Sequence, residues 1–383
     1  MGGGFIGVEM AENLHAIGLK VTLIEMQDQI IAPLDYDMTC EVHLYMKHKG
    51  VTLILKNGVK SIADNGDTVT VNLTEGEVKA DILIMAIGVR PESSLAKEAG
   101  LLIDERGHII VNDRMQTSDS NIFAAGDAVG PIPLAGPANK QGRIAADVIC
   151  GLDSRYIGTQ GSSILKVFDM TVASTGINEK TAKQLGLNYD KSFIYSASHA
   201  NYYPGATYMS IKTIFEKETG KILGAQIVGF DGVDKRCDVL ATAIYAGMTA
   251  FDLAKLELCY APPYSSAIDP VNMVGFVIEN LLTGKLQSFH WHDVENLPRD
   301  GKATLLDIRP VSEYMAGTID GFINIPLDEL RNRIVELDNA KPVYLVCHTG
   351  LRSYIAARIL MQNGFKVYNL SGGYRLYKNV YLI

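Results

Sequence analysis

Two clusters in this 383-residue chain have residue types and spacings suited to chemistry. The first is the loop MGGGFIG, where Gly2, Gly4 and Gly7 fit G-x-G-x-x-G. The first glycine permits a tight turn, the second lets a pyrophosphate approach the backbone, and the third lets a helix pack closely on its strand. The helix that follows offers free N–H groups to phosphate oxygens. Glu25 ends the run KVTLIE. A carboxylate there accepts hydrogen bonds from ribose hydroxyls and repels a 2′-phosphate. The next residues, MQDQ, hold no Arg or Lys, so NAD(H) is expected over NADP(H). The second cluster is PVYLVCHTGLRSYIAARIL, which reads strand, loop, helix. Cys347 ends the strand. The N–H groups from His348 through Thr349, Gly350, Leu351 and Arg352 to Ser353 can cradle an anion, and the next helix points its N-terminus inward. Both effects lower a thiol's pKa and stabilise anionic sulfur. Arg352 adds positive charge, and Ser353 is expected to cap the helix. This pattern, C-x-x-G-x-R-S, fits either a sulfur acceptor or a phosphatase nucleophile.

The surrounding elements must position these residues. FIGVEMAENLHAIG reads as an amphipathic helix stopped by Gly18, and KVTLIE as a short buried strand. A polar helix near Met38–His48, a strand VTLIL and a hairpin-like NGDTVTVNLTEGEVKA follow. ADILIMAIG, continuously apolar, predicts a central parallel strand. Alternation of strands and helices implies an α/β sheet. TSDSNIFAAGDAVG reads as a turn, a short buried strand and Gly-Asp, and PANKQGRIAADVICG as a helix. From about Ser162 the pattern turns antiparallel, with ETGK as a hairpin turn and the helices DVLATAIYAGM and NMVGFVIENLLTG closing an α+β domain. LQSFHWHDVENLPRDGK reads as a linker. TLLDIRP, GFINIP, PVYLVC and KVYNLSGG then give the strands of a smaller α/β domain.

Bulk properties exclude several classes. Apolar residues make up 47% and charged residues 20%, ordinary for a globular chain. A net charge of −8 argues against a nucleic-acid or membrane-surface partner. The longest apolar runs, such as ILIMAIGV, fall far short of a membrane span, and no secretory leader is expected. Five cysteines with no C-x-x-C pair argue against a disulfide framework or zinc site and for a reducing, cytoplasmic setting. His290-x-His292 lacks a second ligand pair, so it reads as solvated linker and no metal is expected.

The motifs GGGFIGVEMAE, AIGVRPE and TSDSNIFAAGDAV, in that order, resemble the flavin-dependent pyridine nucleotide–disulfide oxidoreductases. NYYPGA and YAPPYSSAIDPVNMVG resemble that family's coenzyme A-disulfide reductase and NADH oxidase branch, and DIRPVSEY with CHTGLRS resembles a rhodanese. The resemblance covers nearly the whole chain and tips Cys347 toward sulfur transfer, since no general-acid Asp stands nearby. It implies an NAD-binding domain over 1–112, part of an FAD-binding domain over 113–158, an α+β dimerisation domain over 159–286, a linker over 287–300 and a rhodanese domain over 301–383. It implies FAD and NAD(H) as cofactors and coenzyme A as substrate or ligand. Small thiols, disulfides or persulfides would be its partners, and the assembly a homodimer. The activity implied is reduction of coenzyme A disulfide, persulfide or polysulfide coupled to sulfur transfer. A sulfurtransferase with a non-catalytic nucleotide-binding body and a water-forming NADH oxidase are the alternatives.

By the same resemblance, Gly88 would close over the nicotinamide side and Glu9 would lie near the flavin–nicotinamide junction. Asp127 would bond the FAD ribityl or pyrophosphate, and Ala138 and Asn139 would begin a helix facing the flavin. Tyr202 and Tyr260, with Tyr203 and Tyr264 as close rivals, would donate a proton or hydrogen bond to a leaving thiolate. Asp307 and Arg309 would pair under the sulfur loop. Thr318 stands where the rhodanese pattern has His, which is expected to weaken local packing. The family also begins with an FAD-binding half carrying its own strand, glycine loop and redox-active Cys. None of Cys40, Cys150, Cys237 and Cys259 fits that role. The chain is therefore expected to be truncated within the strand before Gly2 and not to complete a flavin-to-Cys electron path.

Overall fold

A computed structural model describes residues 1–130 and 132–381. The chain divides into two compact units, one made of Met1–Met85 with Ile164–Ile383 and the other of Ala86–Ser163. In the larger unit, helix α1 (Phe5–Ala16) follows the glycine loop, then β1 (Thr22–Ile24), α2 (Tyr36–His48) and β2 (Thr52–Ile54). β1 and β2 pair in parallel, with Leu23 opposite Leu53. Val8 and Ala11 on α1 and Met38, Val42 and Met46 on α2 recur at helical spacing and bury into one core with Leu23. Gly18 ends α1 as expected, its amide bonding His15 O at 2.9 Å. The hairpin-like insert forms three antiparallel strands, β3 (Val59–Asp64), β4 (Val69–Leu73) and β5 (Glu77–Ala80).

ADILIMAIG departs from expectation. Beyond Ala80, the end of β5, it joins no sheet, and Ile82, Met85 and Ile87 are more than half exposed. A central strand requires ladder partners along its backbone. Here the Met1 amine donates to Ile84 O at 2.7 Å, and Leu83 packs beside Val71 and Leu73.

The smaller unit holds α3 (Ser94–Glu98), a 3-10 turn at Gly126–Val129 and α4 (Ala135–Ile149). The buried strand expected in SNIFAAGD reduces to one bridge between Gln116 and Phe123. Side chains organise its loops instead: Asp104 Oδ1 accepts from the amides of Arg106 and His108, each at 2.8 Å. Arg114 pairs with Asp153 at 2.5 Å and Arg155 with Asp113 at 2.7 Å.

The antiparallel segment forms β6 (Ser163–Val167), β7 (Met170–Gly176), β8 (Tyr189–Ala197), β9 (Tyr208–Glu216) and β10 (Ile222–Gly229), in the order β6-β7-β10-β9-β8. α5 (Glu179–Gln184) links β7 to β8. α6 (Val233–Tyr245), α7 (Ala250–Leu253) and α8 (Pro270–Leu282) close the domain, burying Leu240, Leu253, Val274 and Ile278 with Ile211 and Ile227 of the sheet.

The C-terminal domain is a parallel sheet of order β11-β15-β14-β12-β13: β11 (Ser288–Phe289), β12 (Thr304–Asp307), β13 (Ile323–Asn324), β14 (Val343–Val346) and β15 (Val367–Leu370). Its helices are α9 (Val311–Met315), α10 (Leu327–Arg333), α11 (Leu351–Gln362) and α12 (Gly373–Tyr381). Residues 287–300, expected as linker, are ordered into this domain: β11 pairs with β15, and Phe289, Val294 and Leu297 are buried. Three apolar anchors spaced among polar residues carry little periodic signal. Of the two histidines expected to be solvated, His292 is exposed and His290 is half-buried. His290 Nε2 lies 3.4 Å from Asp190 Oδ1, and His292 Nε2 lies 3.1 Å from Lys191 Nζ. Among the described residues no group of three or more His, Cys, Asp or Glu is placed to hold a metal. Among the same residues no helix is long and apolar enough to cross a membrane.

A buried charge cluster joins three chain segments within the larger unit. Lys212 Nζ meets Asp37 Oδ1 at 2.8 Å, Glu179 Oε2 at 2.9 Å and Asp35 Oδ2 at 3.1 Å. Lys191 Nζ donates to Glu179 Oε1 at 2.7 Å, and Trp291 Nε1 to Asp37 Oδ2 at 3.2 Å. Burial alone would lower the Lys212 pKa, but the three carboxylates outweigh it and hold it above the ordinary lysine value. Burial would likewise raise Asp37 and Glu179, yet the lysines hold both below the usual carboxylate range.

Candidate active site

Cys347 follows β14 directly, and its side chain is fully buried. Gly350 N donates to Sγ at 3.1 Å and Ser353 Oγ donates at 3.2 Å. Gly350 is the helix N-cap with φ of 100°, a left-handed conformation that turns its amide toward the sulfur. Ser353 is therefore not the cap expected of it. It lies within the first turn of α11, bonding Gly350 O at 3.1 Å as well as the sulfur. Asn369 Nδ2 also holds Gly350 O, at 3.1 Å. The strand carbonyl is fixed from the other side, where Tyr374 N donates to Cys347 O at 2.8 Å. A Cβ on Gly373 would lie 2.6 Å from that same oxygen, so this approach requires glycine.

Every guanidinium around the loop mouth is held by a carboxylate. Arg352 Nη1 and Nη2 donate to Glu313 Oε1 and Oε2 at 2.7 and 2.8 Å, a bidentate clamp. The hydrogen bonds from Arg352 hold the Glu313 pKa below its usual range. Those to Glu313, with a smaller contribution from Cys347, hold Arg352 above its own. Arg309 pairs with Asp307 at 2.6 Å, as expected, and lies over the Tyr374 ring at 4.1 Å. Thr318 does not weaken this packing: its hydroxyl donates to Asp307 Oδ2 at 2.9 Å, occupying an acceptor. Arg375 bonds Glu41 at 2.6 Å. Burial pushes the His348 pKa below its ordinary value. Glu313 opposes that shift, while Arg375, Arg352 and Arg309 reinforce it. The histidine beside the nucleophile is thus neutral at neutral pH.

At the other end of the chain, Gly2 has φ of 97°, and Gly3 N donates to Glu25 Oε2 at 2.6 Å. Gln27 N donates to Glu25 Oε1 at 2.8 Å, so the carboxylate is fixed beside the loop. A Cβ on Gly3 would meet Ile30 Cγ2 at 2.7 Å, whereas one on Gly4 would meet nothing within 4 Å. Gly4 caps α1 without a side-chain bond, leaving first-turn amides for a phosphate. Gly7 lies in that turn and Glu9 one step along the exposed face. Gly2, Gly4, Gly7 and Glu25 therefore come together in one open cradle whose donors and acceptor fit a dinucleotide. Ile31, buried with φ of 52°, donates its amide to Gly3 O at 2.7 Å; a left-handed β-branched residue is strained backbone next to this loop.

Gly88, Asp127, Ala138 and Asn139 belong to the smaller unit. Gly88 has φ of 111°. Asp127 is exposed in the 3-10 turn and lines a cleft of about 560 Å³ with Arg90, His108 and Ala128. Helix α4 starts at Ala135, so Ala138 and Asn139 do not begin it as expected but lie about one turn inside. Asn139 Nδ2 returns to Ala135 O at 2.9 Å, and Gln141 Oε1 fixes Gly126 N at 2.8 Å.

Among the four tyrosines, the structure brings Tyr202 and Tyr260 together, hydroxyl to hydroxyl at 2.9 Å. That hydrogen bond raises the Tyr260 pKa. Tyr203 packs edge-on against His199 instead, and Tyr264 is exposed. Sequence reasoning missed Glu313, Asn369 and Arg375. Glu313 lies 39 positions from Arg352, and only its place in DIRPVSEY could have marked it.

A cofactor-type glycine cradle joined to a cysteine held in a backbone nest defines a nucleotide-binding redox scaffold carrying a sulfur-handling domain. Three family descriptions match in succession: pyridine nucleotide-disulphide oxidoreductase over residues 1–142, that family's dimerisation domain over 162–271, and a rhodanese-like domain over 290–379. The reduced Bacillus anthracis CoADR-RHD superposes with a TM-score of 0.95 at 51% identity, covering 99% of this chain and 70% of that one. The NAD-dependent persulfide reductase from A. fulgidus gives 0.89 at 40% identity, covering 98% and 71%. The coenzyme A disulfide reductase of Staphylococcus epidermidis is 34% identical over 288 residues, 72% of this chain and 64% of that protein. The chain belongs to the pyridine nucleotide–disulfide oxidoreductase family and carries a rhodanese-like domain. It spans about 64% of the length of the curated relative.

Proposed function

We propose that this protein serves NAD(P)H- and FAD-dependent reduction of coenzyme A disulfide, persulfide or polysulfide, with Cys347 carrying sulfane sulfur. The observation that supports it most strongly is the cradle at Cys347, where Gly350 N and Ser353 Oγ donate to Sγ at 3.1 and 3.2 Å. Donors fixed on a sulfur stabilise negative charge wherever it sits on the sulfur chain. Gly2, Gly4, Gly7 and Glu25 would hold NAD(H), with Glu25 accepting from the ribose. Asp127, with Ala138 and Asn139 in the first turns of α4, would hold FAD, and Glu9 would serve the nicotinamide end of NAD(H). When bound, the two cofactors supply hydride and electron transfer. Tyr202 and Tyr260 would serve a thiolate leaving group as a linked phenol pair, in a cytoplasmic homodimer.

A second reading, sulfur transfer alone, has its own support. Burial pushes the Cys40 and Cys237 thiols up to about 12, which leaves neither suited to act as a redox nucleophile. The purified protein decides between them. A stoichiometric visible flavin band with NADH-dependent disulfide reduction supports the full reductase. A one-sulfur mass gain on Cys347 without that band supports sulfur transfer alone. Absence of both overturns both readings.

A further inference from the structure

The mouth of the Cys347 loop contains three arginines and no free cation among the described residues. Arg309 is held by Asp307, Arg352 by Glu313 and Arg375 by Glu41. The groups acting electrostatically on His348 are the same Glu313, Arg375, Arg352 and Arg309. The direct donors to the sulfur are those of the cradle, the Gly350 amide and the Ser353 hydroxyl at the N-terminus of the twelve-residue helix α11, and Arg352 acts on Cys347 while clamped by Glu313. Those dipoles match a single negative charge on one sulfur. They offer nothing to a second, and the Glu313 carboxylate opposes one. Arg352 interacts electrostatically with Cys347, and Glu313 occupies both of its terminal nitrogens.

Resting on the sulfur-transfer reading above, we propose that Glu313 is a positioning residue that sets donor class. By clamping Arg352 it leaves the mouth electrically balanced, so Cys347 takes sulfur from alkyl persulfides and discriminates against dianionic donors such as thiosulfate. The chemistry is the same for both. The Cys347 thiolate attacks the outer sulfur, a new S–S bond forms, and the donor's bond to that sulfur breaks with its electron pair leaving on the donor. An alkyl hydropersulfide releases an alkyl thiolate and leaves its proton on the new terminal sulfur. Thiosulfate releases sulfite and leaves an anionic persulfide. Only the charge brought to the mouth differs.

The test measures the rate of one-sulfur mass gain on Cys347 in the full chain, with the hydropersulfide of 2-mercaptoethanol, which carries no other charged group, and with thiosulfate at equal concentration. The native protein loads from the persulfide at least about tenfold faster, as expected where no net positive charge at the mouth draws in a dianion. Glu313→Gln removes the opposing charge and frees one arm of Arg352, which raises the thiosulfate-to-persulfide rate ratio about fivefold or more. Glu313→Asp keeps the charge and leaves the ratio within about twofold of native. Native loading from thiosulfate as fast as from persulfide overturns the proposal even if neither variant folds. So does a ratio unmoved in Glu313→Gln, or one raised equally in Glu313→Asp. Loading from neither donor overturns the sulfur-transfer reading itself, which is a separate result.

Discussion

At Cys347 the hydroxyl of Ser353 and the amide of Gly350 share the work of holding the sulfur. Only the hydroxyl can be removed without disturbing the backbone. Ser353→Ala deletes one donor from a buried site, a loss of about 1 to 1.5 kcal/mol. If that donor strengthens as charge moves onto the sulfur chain, persulfide loading of Cys347 slows about tenfold. Intact-mass kinetics give that rate, and an unchanged rate would show that Ser353 is only a packing residue. Cys347→Ser stops the mass gain altogether while leaving any flavin band untouched. The motif C-x-x-G-x-R-S was legible because the residues that touch the sulfur are its neighbours in sequence. The role of Ser353 was misread because the αL turn at Gly350 moves the helix start forward by three residues, and a turn conformation is not written in the side chains. Glu313 was invisible as a partner of Arg352 for another reason: a separation of 39 positions carries no pattern.

At the scale of elements, periodicity placed most helices and strands. α1, α2, α4, α6, α8 and the strands β7 to β10 lie where alternation and helical spacing put them. ADILIMAIG failed because an apolar run reports a tendency to pair, and pairing requires a partner backbone that composition cannot supply. The segment 287–300 failed in the opposite sense, since three apolar anchors suffice to dock a polar stretch. The junction of β14, the sulfur loop and α12 is a tighter constraint than either. Tyr374 N and Arg375 N bond Cys347 O and His348 O, at 2.8 and 2.9 Å. Gly373, with φ of 61°, makes this possible. A methyl group at Gly373 would press on Cys347 O and His348 O at 2.6 and 2.7 Å. Gly373→Ala is expected to destabilise the protein by roughly 2 kcal/mol or more through strain and contact. The urea midpoint should fall, and loading of Cys347 should fall with it because the strand end and loop move together. A variant with native midpoint and native loading would show that α12 adjusts freely.

At the scale of the whole larger unit, the buried cluster around Lys212 ties α2, the five-stranded sheet and the C-terminal domain, joining residues up to 254 positions apart. Nothing in composition or spacing could reveal it. Asp37 and Glu179 titrate below their ordinary range. Their contribution is therefore fully present above about pH 4 and is lost as pH falls through the depressed folded values. Three histidines add an earlier limb. Burial pushes His43 down to about 4 and lowers His292 and His348, so all three are neutral in the folded state at neutral pH. Protonating them costs stability as pH falls from about 6.5 toward those folded values. Lys212, held above the ordinary lysine value, and Lys191, pushed below it chiefly by burial, titrate on the alkaline side and do not enter this window. Stability should thus decline gently below pH 6.5 and steeply below pH 4. The chain's single tryptophan, Trp291, bonds Asp37 directly and reports the event by its own fluorescence. Asp37→Asn leaves Lys212 with less compensation in a buried site, which costs about 3 to 5 kcal/mol at neutral pH. It should flatten the limb below pH 4 while sparing the histidine limb. A tryptophan signal that stays constant to pH 3 in the native protein, or an acid limb of equal depth in Asp37→Asn, would show that the domains are held by apolar packing of α12 on α2 rather than by the charge cluster.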